Sequence, residues 1–156
     1  MQLKSPKIIC DISTLRSLVN KEKNDGKSIV FTNGCFDLVH SGHVFILEQA
    51  KLKGDVLIVG LNSDSSIKNF KSPDRPICDQ NDRAFVLSAF KCIDYIYIFD
   101  EDTPEKIIVE ISPDVLVKGK DYEGKYIAGS KHMMKNKKSI ELVDIIEGKS
   151  TSSIIS

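Results

Sequence analysis

The chain has 156 residues, and its 22 basic and 22 acidic side chains cancel to a formal net charge of zero. That length suits one domain of ordinary size, and 41% hydrophobic against 28% charged residues is the balance of a folded chain, which excludes a disordered one. A general affinity for nucleic acid or for an anionic membrane needs a basic surplus that is missing here, although a local cationic pocket for a small anion stays open.

Ser13 is placed to cap a first helix through Leu15, Leu18 and Val19 that stops near Gly26. A short β-branched run at 28–32 then reads as a buried strand, followed by helical spacing over 42–53 that turns Val44, Leu47, Ala50 and Leu52 to one side. A second strand at 56–61 leads into a polar loop with Lys68, Lys71 and Arg75, stiffened by Pro73 and Pro76. Residues 79–91 carry an apolar stripe of Ala84, Val86, Leu87 and Phe90, and a third strand covers 95–99. Thr103 precedes Pro104 as a cap before a first-turn proline, and Ile107, Ile108 and Ile111 continue that helix to Pro113. Strands at 114–117 and 140–143 follow, and the hydroxyl-rich stretch 147–153 opens a last short helix. Strands alternating with helices, with no linker or repeat between them, predict a single α/β domain over 1–156 whose parallel sheet is covered on both faces. Ligands of such sheets gather beyond the C-terminal strand ends.

The unusual residues stand at those ends. The first strand runs directly into Thr32-Asn33-Gly34-Cys35-Phe36-Asp37-Leu38-Val39-His40-Ser41-Gly42-His43. A strand-to-helix turn presents unpaired N–H groups and a partial positive charge, which is a natural phosphate cradle. Gly34 is expected to permit an unusual backbone conformation close to a ligand, and Gly42 to leave room for a base or a phosphate. His40 and His43, three apart, share a helix face and could donate hydrogen bonds to phosphate oxygens that gain charge in a transition state. A zinc site is the rival reading, and it is short of ligands: Asp37 is the only nearby carboxylate. The plainer alternative is that one histidine only packs under the loop.

Residues 31–51 resemble the first motif of the nucleotidyltransferase superfamily marked by His-x-Gly-His. The fuller string from Thr32 to Asp37, with Asn62-Ser63-Asp64 after the second strand, is similar to the heptose 1-phosphate adenylyltransferase branch, found alone or as the C-terminal half of a bifunctional kinase/adenylyltransferase. The resemblance runs from about Ile8 to Ile155 and carries no kinase half, so a stand-alone enzyme is expected. It implies a Rossmann-like, doubly wound sheet of five strands in the order 3-2-1-4-5. It also implies transfer of AMP from ATP, with Mg²⁺, to a sugar 1-phosphate, namely D-glycero-D-manno-heptose 1-phosphate, and a homodimer or higher homo-oligomer.

By the same resemblance His40, His43, Lys71 and Arg83 are the catalytic set. The nucleotide falls to Asn33, Gly34, Cys35, Phe36, His40, Gly42, His43, Lys118, Gly119, Asp121, Ser150 and Thr151, and the sugar phosphate to Asp37, Asn62, Asp64 and Arg75. Lys118-Gly119-Lys120-Asp121-Tyr122 matches the branch's Lys-Gly-x-Asp-Tyr motif; read without it, Gly119 lets the chain turn and Asp121 is either an acceptor for ribose or base, or a polar turn residue. Gly148-Lys149-Ser150-Thr151-Ser152 is similar to a Gly-x-Ser-Thr-Thr motif that closes over the nucleotide, with Ser152 in place of the second threonine. Ile145 stands where glycerol-type cytidylyltransferases carry an arginine, which weakens the alternative of a cytidylyltransferase acting on glycerol 3-phosphate. A nucleotide-sensing module without chemistry is the non-enzyme alternative, disfavoured by the intact histidines and cations.

No apolar run approaches the roughly 18 residues that cross a bilayer, and residues 1–6 lack the apolar stretch of a secretion signal. Cys10, Cys35, Cys78 and Cys92 are scattered without a C-x-x-C pair, which speaks for free thiols in a cytoplasmic protein. Cys35 lies near His40 but lacks an orienting third group, so lining the site is preferred to a nucleophile's role. His132, beside Met133 and Met134, reads as helix surface or packing. Gly148-Lys149-Ser150 fails as a phosphate-binding Walker loop, because Val143 occupies the place of its first glycine.

Overall fold

The β-branched runs pair side by side, all in parallel. The structure, a computed structural model, describes residues 2–150. Its strands are β1 (Ile8–Ile9), β2 (Ile29–Gly34), β3 (Val56–Asn62), β4 (Tyr95–Phe99), β5 (Val115–Gly119) and β6 (Ser139–Val143). They form one sheet in the order β1-β4-β3-β2-β5-β6. The helices are α1 (Ile12–Asn24), α2 (Ser41–Lys51), α3 (Asp64–Phe70), α4 (Gln80–Ser88), α5 (Glu105–Ile111) and α6 (Ser130–Lys135).

The expected count of five strands is corrected to six, and with it the order. The extra strand is β1, which pairs Ile8 with Ile96 and Ile9 with Tyr97 at the sheet edge. Two residues are too few to show a period of two, so β1 leaves no pattern in the sequence. Without it, the other five strands run β4-β3-β2-β5-β6.

Period-two alternation divides the core between the two faces of the sheet. Ile29, Phe31 and Ile58 pack on one face with Leu15 and Val19 of α1 and Ile107, Ile108 and Ile111 of α5. Val30, Leu57 and Val59 pack on the other with Leu47 and Ala50 of α2 and Ala84 and Leu87 of α4. All of β3 is buried, as a strand covered on both sides must be. Each fully buried Leu, Ile or Phe contributes roughly 1.5–3 kcal/mol.

Caps account for most helix starts. Asp11, not Ser13, caps α1: its carboxylate accepts from the Thr14 N–H at 3.2 Å and from the Ser13 and Thr14 hydroxyls at 2.9 and 2.8 Å. Ser63 caps α3 and Asp79 caps α4. Pro104 begins α5, with the Thr103 hydroxyl accepting from the Glu105 N–H at 3.4 Å. Of the stretch expected to open the last helix, residues 147–150 form a turn and irregular chain after β6, and 151–153 lie outside the described residues. Among the described residues no helix is long and apolar enough to cross a membrane. The C-terminal ends of β2, β3 and β5 lie side by side at mid-sheet, where the chain leaves β2 toward both edges and a crevice opens.

Candidate active site

The crevice is floored by the end of β2. Phe36, two residues past that strand, holds the left-handed φ of 47°, so the strained backbone is at Phe36 and not at Gly34 as expected. Gly34 serves by being small: a Cβ there would stand 2.9 Å from the Phe36 ring. The ring turns back and packs 5.2 Å, centroid to centroid, from His43.

His40 caps α2. Its Nδ1 accepts from the Gly42 N–H at 3.1 Å, while the His40 N–H donates to Nδ1 of His43 at 3.2 Å. The two rings lie 3.9 Å apart. The room made by Gly42 is taken by the protein, since a Cβ there would meet His40 Cε1 at 2.9 Å and Lys149 Cβ at 3.1 Å. This reciprocal capping fixes both tautomers: with each Nδ1 accepting, each neutral ring carries its proton on Nε2. His40 Nε2 is buried with no hydrogen-bond partner among the described residues. Burial, then the neighbouring His40 and Lys71, pushes the His43 imidazole down to about 4. Burial and Lys149 also lower His40. Both rings are therefore neutral donors near pH 7.

His43 borders three connected spaces. A cavity of about 460 Å³ extends past Gly34, Lys71 and Lys118 toward Phe70, Asp102 and Tyr126. A slot of about 150 Å³ lies on the other side, between His40, Gly42, Ile145 and Lys149. Asp121 and Gly119 edge the passage that joins them. Lys118 is 8% exposed; its ammonium donates to Asn33 Oδ1 at 2.5 Å and lies 5.0 Å from the centre of the Tyr122 ring. Burial pushes it down to about 8, against the pull of Asp121. Gly119 has an ordinary φ of −72°; its need is for close approach, because a Cβ would fall 2.5 Å from Asp121 Oδ1. Lys71 ends α3 and lines the cavity beside Cys35 and Phe36.

Four expected substrate contacts are instead engaged within the protein. Arg83 is 2% exposed. It donates through Nη1 to the carbonyls of Cys35 and Asn62, both at 2.7 Å, through Nε to Cys78 at 3.0 Å, and through Nη2 to Asp64 Oδ1 at 2.7 Å. It is a buried staple across the ends of β2 and β3 and the start of α4, with Asp64 as its counter-ion. Asp37, 3% exposed, accepts from the Ile77 N–H at 2.8 Å, the Cys78 N–H at 2.9 Å and Arg75 Nε at 3.0 Å. Burial would raise that carboxyl, but the two N–H groups and Arg75 hold it below the usual carboxylate range. Asp37 and Arg75 thus clamp the loop before α4, and Asp37 also lines the large cavity. Asn62 borders the cavity, with its amide nitrogen bonded to Ser66 Oγ at 3.0 Å.

Ser150 is exposed at the end of the described residues, and Thr151 lies outside them. The cysteines are free, and burial raises the Cys35 thiol, the opposite of nucleophile activation. His132 bonds Ser112 Oγ at 3.0 Å, in keeping with packing. Sequence reasoning missed Lys149 and the wall formed by Phe70, Asp102, Thr103 and Tyr126. The Thr103-Pro104 pair was visible only as a helix start, and α3, with Ser66 and Ile67 its only buried residues, shows no period.

A family model described as cytidylyltransferase-like matches residues 31–156. The chain is 47% identical over 154 residues to the bifunctional protein HldE of Wolinella succinogenes, which covers 99% of this chain and 32% of that protein. It is 55% identical over 129 residues to the HldE of Campylobacter concisus, covering 83% of this chain and 26% of that protein. The chain thus spans about a third or less of these curated relatives. Among solved structures, a lipopolysaccharide core biosynthesis protein from Thermoplasma volcanium superposes with a TM-score of 0.63 at 28% identity, over 80% of this chain and all of that one. A pantoate-beta-alanine ligase from Francisella tularensis, at 15% identity and a TM-score of 0.64 over 95% of this chain and 69% of that one, shares the fold.

Proposed function

The chain belongs to the cytidylyltransferase-like family, and from that premise we propose that it transfers AMP from ATP to a sugar 1-phosphate, D-glycero-D-manno-heptose 1-phosphate, giving ADP-heptose and pyrophosphate. The HldE relatives support this reading through their identity across nearly the whole chain. The observation that carries it is the pair of Nε2–H donors, fixed by reciprocal capping at the head of α2.

In the reaction an oxygen of the sugar phosphate attacks the α-phosphorus of ATP. A new P–O bond forms, the bond from the α-phosphorus to its bridging oxygen breaks, and pyrophosphate leaves with that electron pair. The nucleophile is already an anion, so no strong base is needed, and catalysis rests on alignment and charge stabilisation. His43 donates to the α-phosphate and His40 to a neighbouring phosphate oxygen, assisted by the positive end of α2. Lys71 and Lys118 offset the repulsion between two anionic substrates. Asn33, Gly34, Cys35 and Phe36 floor the phosphate path, Gly119 and Asp121 edge it, and Ile145 and Ile146 give the slot apolar walls suited to a base.

The described residues hold no group of three or more His, Cys, Asp or Glu arranged around an ion. Mg²⁺ keeps its waters and binds mainly to substrate phosphates with one or two carboxylates, and Asp121, exposed at the joining passage, would supply such an oxygen. When bound with ATP, the ion neutralises charge on the β- and γ-phosphates. Pyrophosphate release with ATP or CTP, across heptose 1-phosphate, other sugar phosphates and glycerol 3-phosphate, tests the reading. Turnover with ATP and the heptose is expected, and turnover only with CTP and glycerol 3-phosphate would replace it.

A further inference from the structure

Among the residues expected at the sugar phosphate, Asp37, Asp64 and Arg75 each carry bonds within the protein, and Asn62 is bonded to Ser66. The large cavity supplies another wall. Phe70, at the end of α3, is 50% exposed and Tyr126 is 64% exposed, and both border the cavity together with Asp102 and Thr103. Aromatic faces left open beside a carboxylate and a hydroxyl are the side-chain chemistry that suits a polyol ring.

This wall is built rather than loose. Asn69 Nδ2 donates to Asp102 Oδ1 at 3.2 Å, Ser66 Oγ donates to the Glu101 carbonyl at 2.8 Å, and the Ser63 N–H donates to the Phe99 carbonyl at 2.9 Å. These bonds tie the loop before α5 to α3. The bond to Asn69 also aims the Asp102 carboxylate, whose Oδ2 has no hydrogen bond among the described residues. The polarity runs the right way along the wall. Lys71, next to Phe70, provides a cation at the phosphate end, whereas Asp102 would repel a phosphate and favours uncharged hydroxyls. The base has a separate place, since the slot walled by Ile145 and Ile146 shares only His43 with this cavity.

We propose that Phe70, Tyr126, Asp102 and Thr103 form the sugar subsite, with the aromatic faces against the C–H face of the acceptor ring and the two polar side chains taking its hydroxyls. The inference rests on the adenylyltransferase reading and assigns the residues that select its acceptor. Asp102→Asn and Phe70→Ala are tested by pyrophosphate release with ATP and D-glycero-D-manno-heptose 1-phosphate, varying each substrate in turn. The expected result is a KM for the heptose phosphate raised about tenfold or more, with the KM for ATP within about twofold of the parent, because a site built for hydroxyls loses selectivity when its partners go. Phe70→Tyr should recover most of the loss. Both parent side chains are exposed, so the variants should fold, and their thermal melts check this. If Phe70→Ala melts early, Asp102→Asn decides alone. An unchanged heptose KM, or an equal rise in the KM for ATP, overturns the subsite while leaving the adenylyltransferase reading intact. No turnover by the parent chain with any sugar phosphate overturns that reading first.

Discussion

At the scale of single residues, one nitrogen of each histidine is committed to the backbone and the other is left without a hydrogen bond among the described residues, the arrangement on which the proposed mechanism relies. His43→Ala removes one donor from the α-phosphate, and kcat should fall about 100- to 1,000-fold with the fold retained; a steady-state rate near the parent's would take His43 out of the mechanism. The same burial that keeps His43 neutral carries a pH signature. Its folded pKa, lowered from 6.5 to about 4, means that the unfolded chain binds the proton more readily. Its contribution to stability is therefore complete above about 6.5 and is lost as pH falls from there toward 4. Urea denaturation across that window should show a shallower decline in His43→Gln than in the parent, and equal slopes would contradict the assignment. Asp37, already lowered, loses its contribution only below the ordinary Asp value of 3.8. Lys118, pushed down to about 8, marks the alkaline side: kcat/KM for ATP should decline above that pH in the parent and lose this arm in Lys118→Met. A parent profile flat well beyond pH 8 would deny Lys118 a charged role.

At the scale of elements, the loops that shape the crevice are held by two partly buried ion pairs. Arg83 ties β2, β3 and α4 together through three carbonyls and Asp64. Removing it in Arg83→Met leaves those acceptors unpaired, so a loss of about 3–5 kcal/mol in urea denaturation is expected. A stability within about 1 kcal/mol of the parent would show that the staple is dispensable. The charge and position of Arg83 can be read from a string of letters, and its burial against three carbonyls cannot. The Asp37–Arg75 pair was hidden in the same way: nothing in their spacing announces that they meet each other across a loop. The strands that are fully covered were plain, since runs such as 56–61 admit few other readings. The short β1 and α3 were hidden because neither is long enough to display a period.

At the scale of the whole molecule, the parallel sheet sets one phosphate-binding corner between two unlike spaces, an apolar slot and a larger cavity with aromatic and acidic walls. That the glycines and histidines meet at one corner was legible, because they follow directly on a strand and open a helix. The acceptor wall was not, since Phe70, Asp102 and Tyr126 come from three segments that only the fold unites. Adenylyl transfer at the His40–His43 corner is most directly tested by following ATP and D-glycero-D-manno-heptose 1-phosphate by phosphorus NMR with the parent chain and with His43→Ala. The parent should convert both into ADP-heptose and pyrophosphate while the variant barely does so. Product formed equally fast by both, or by neither, would contradict the account.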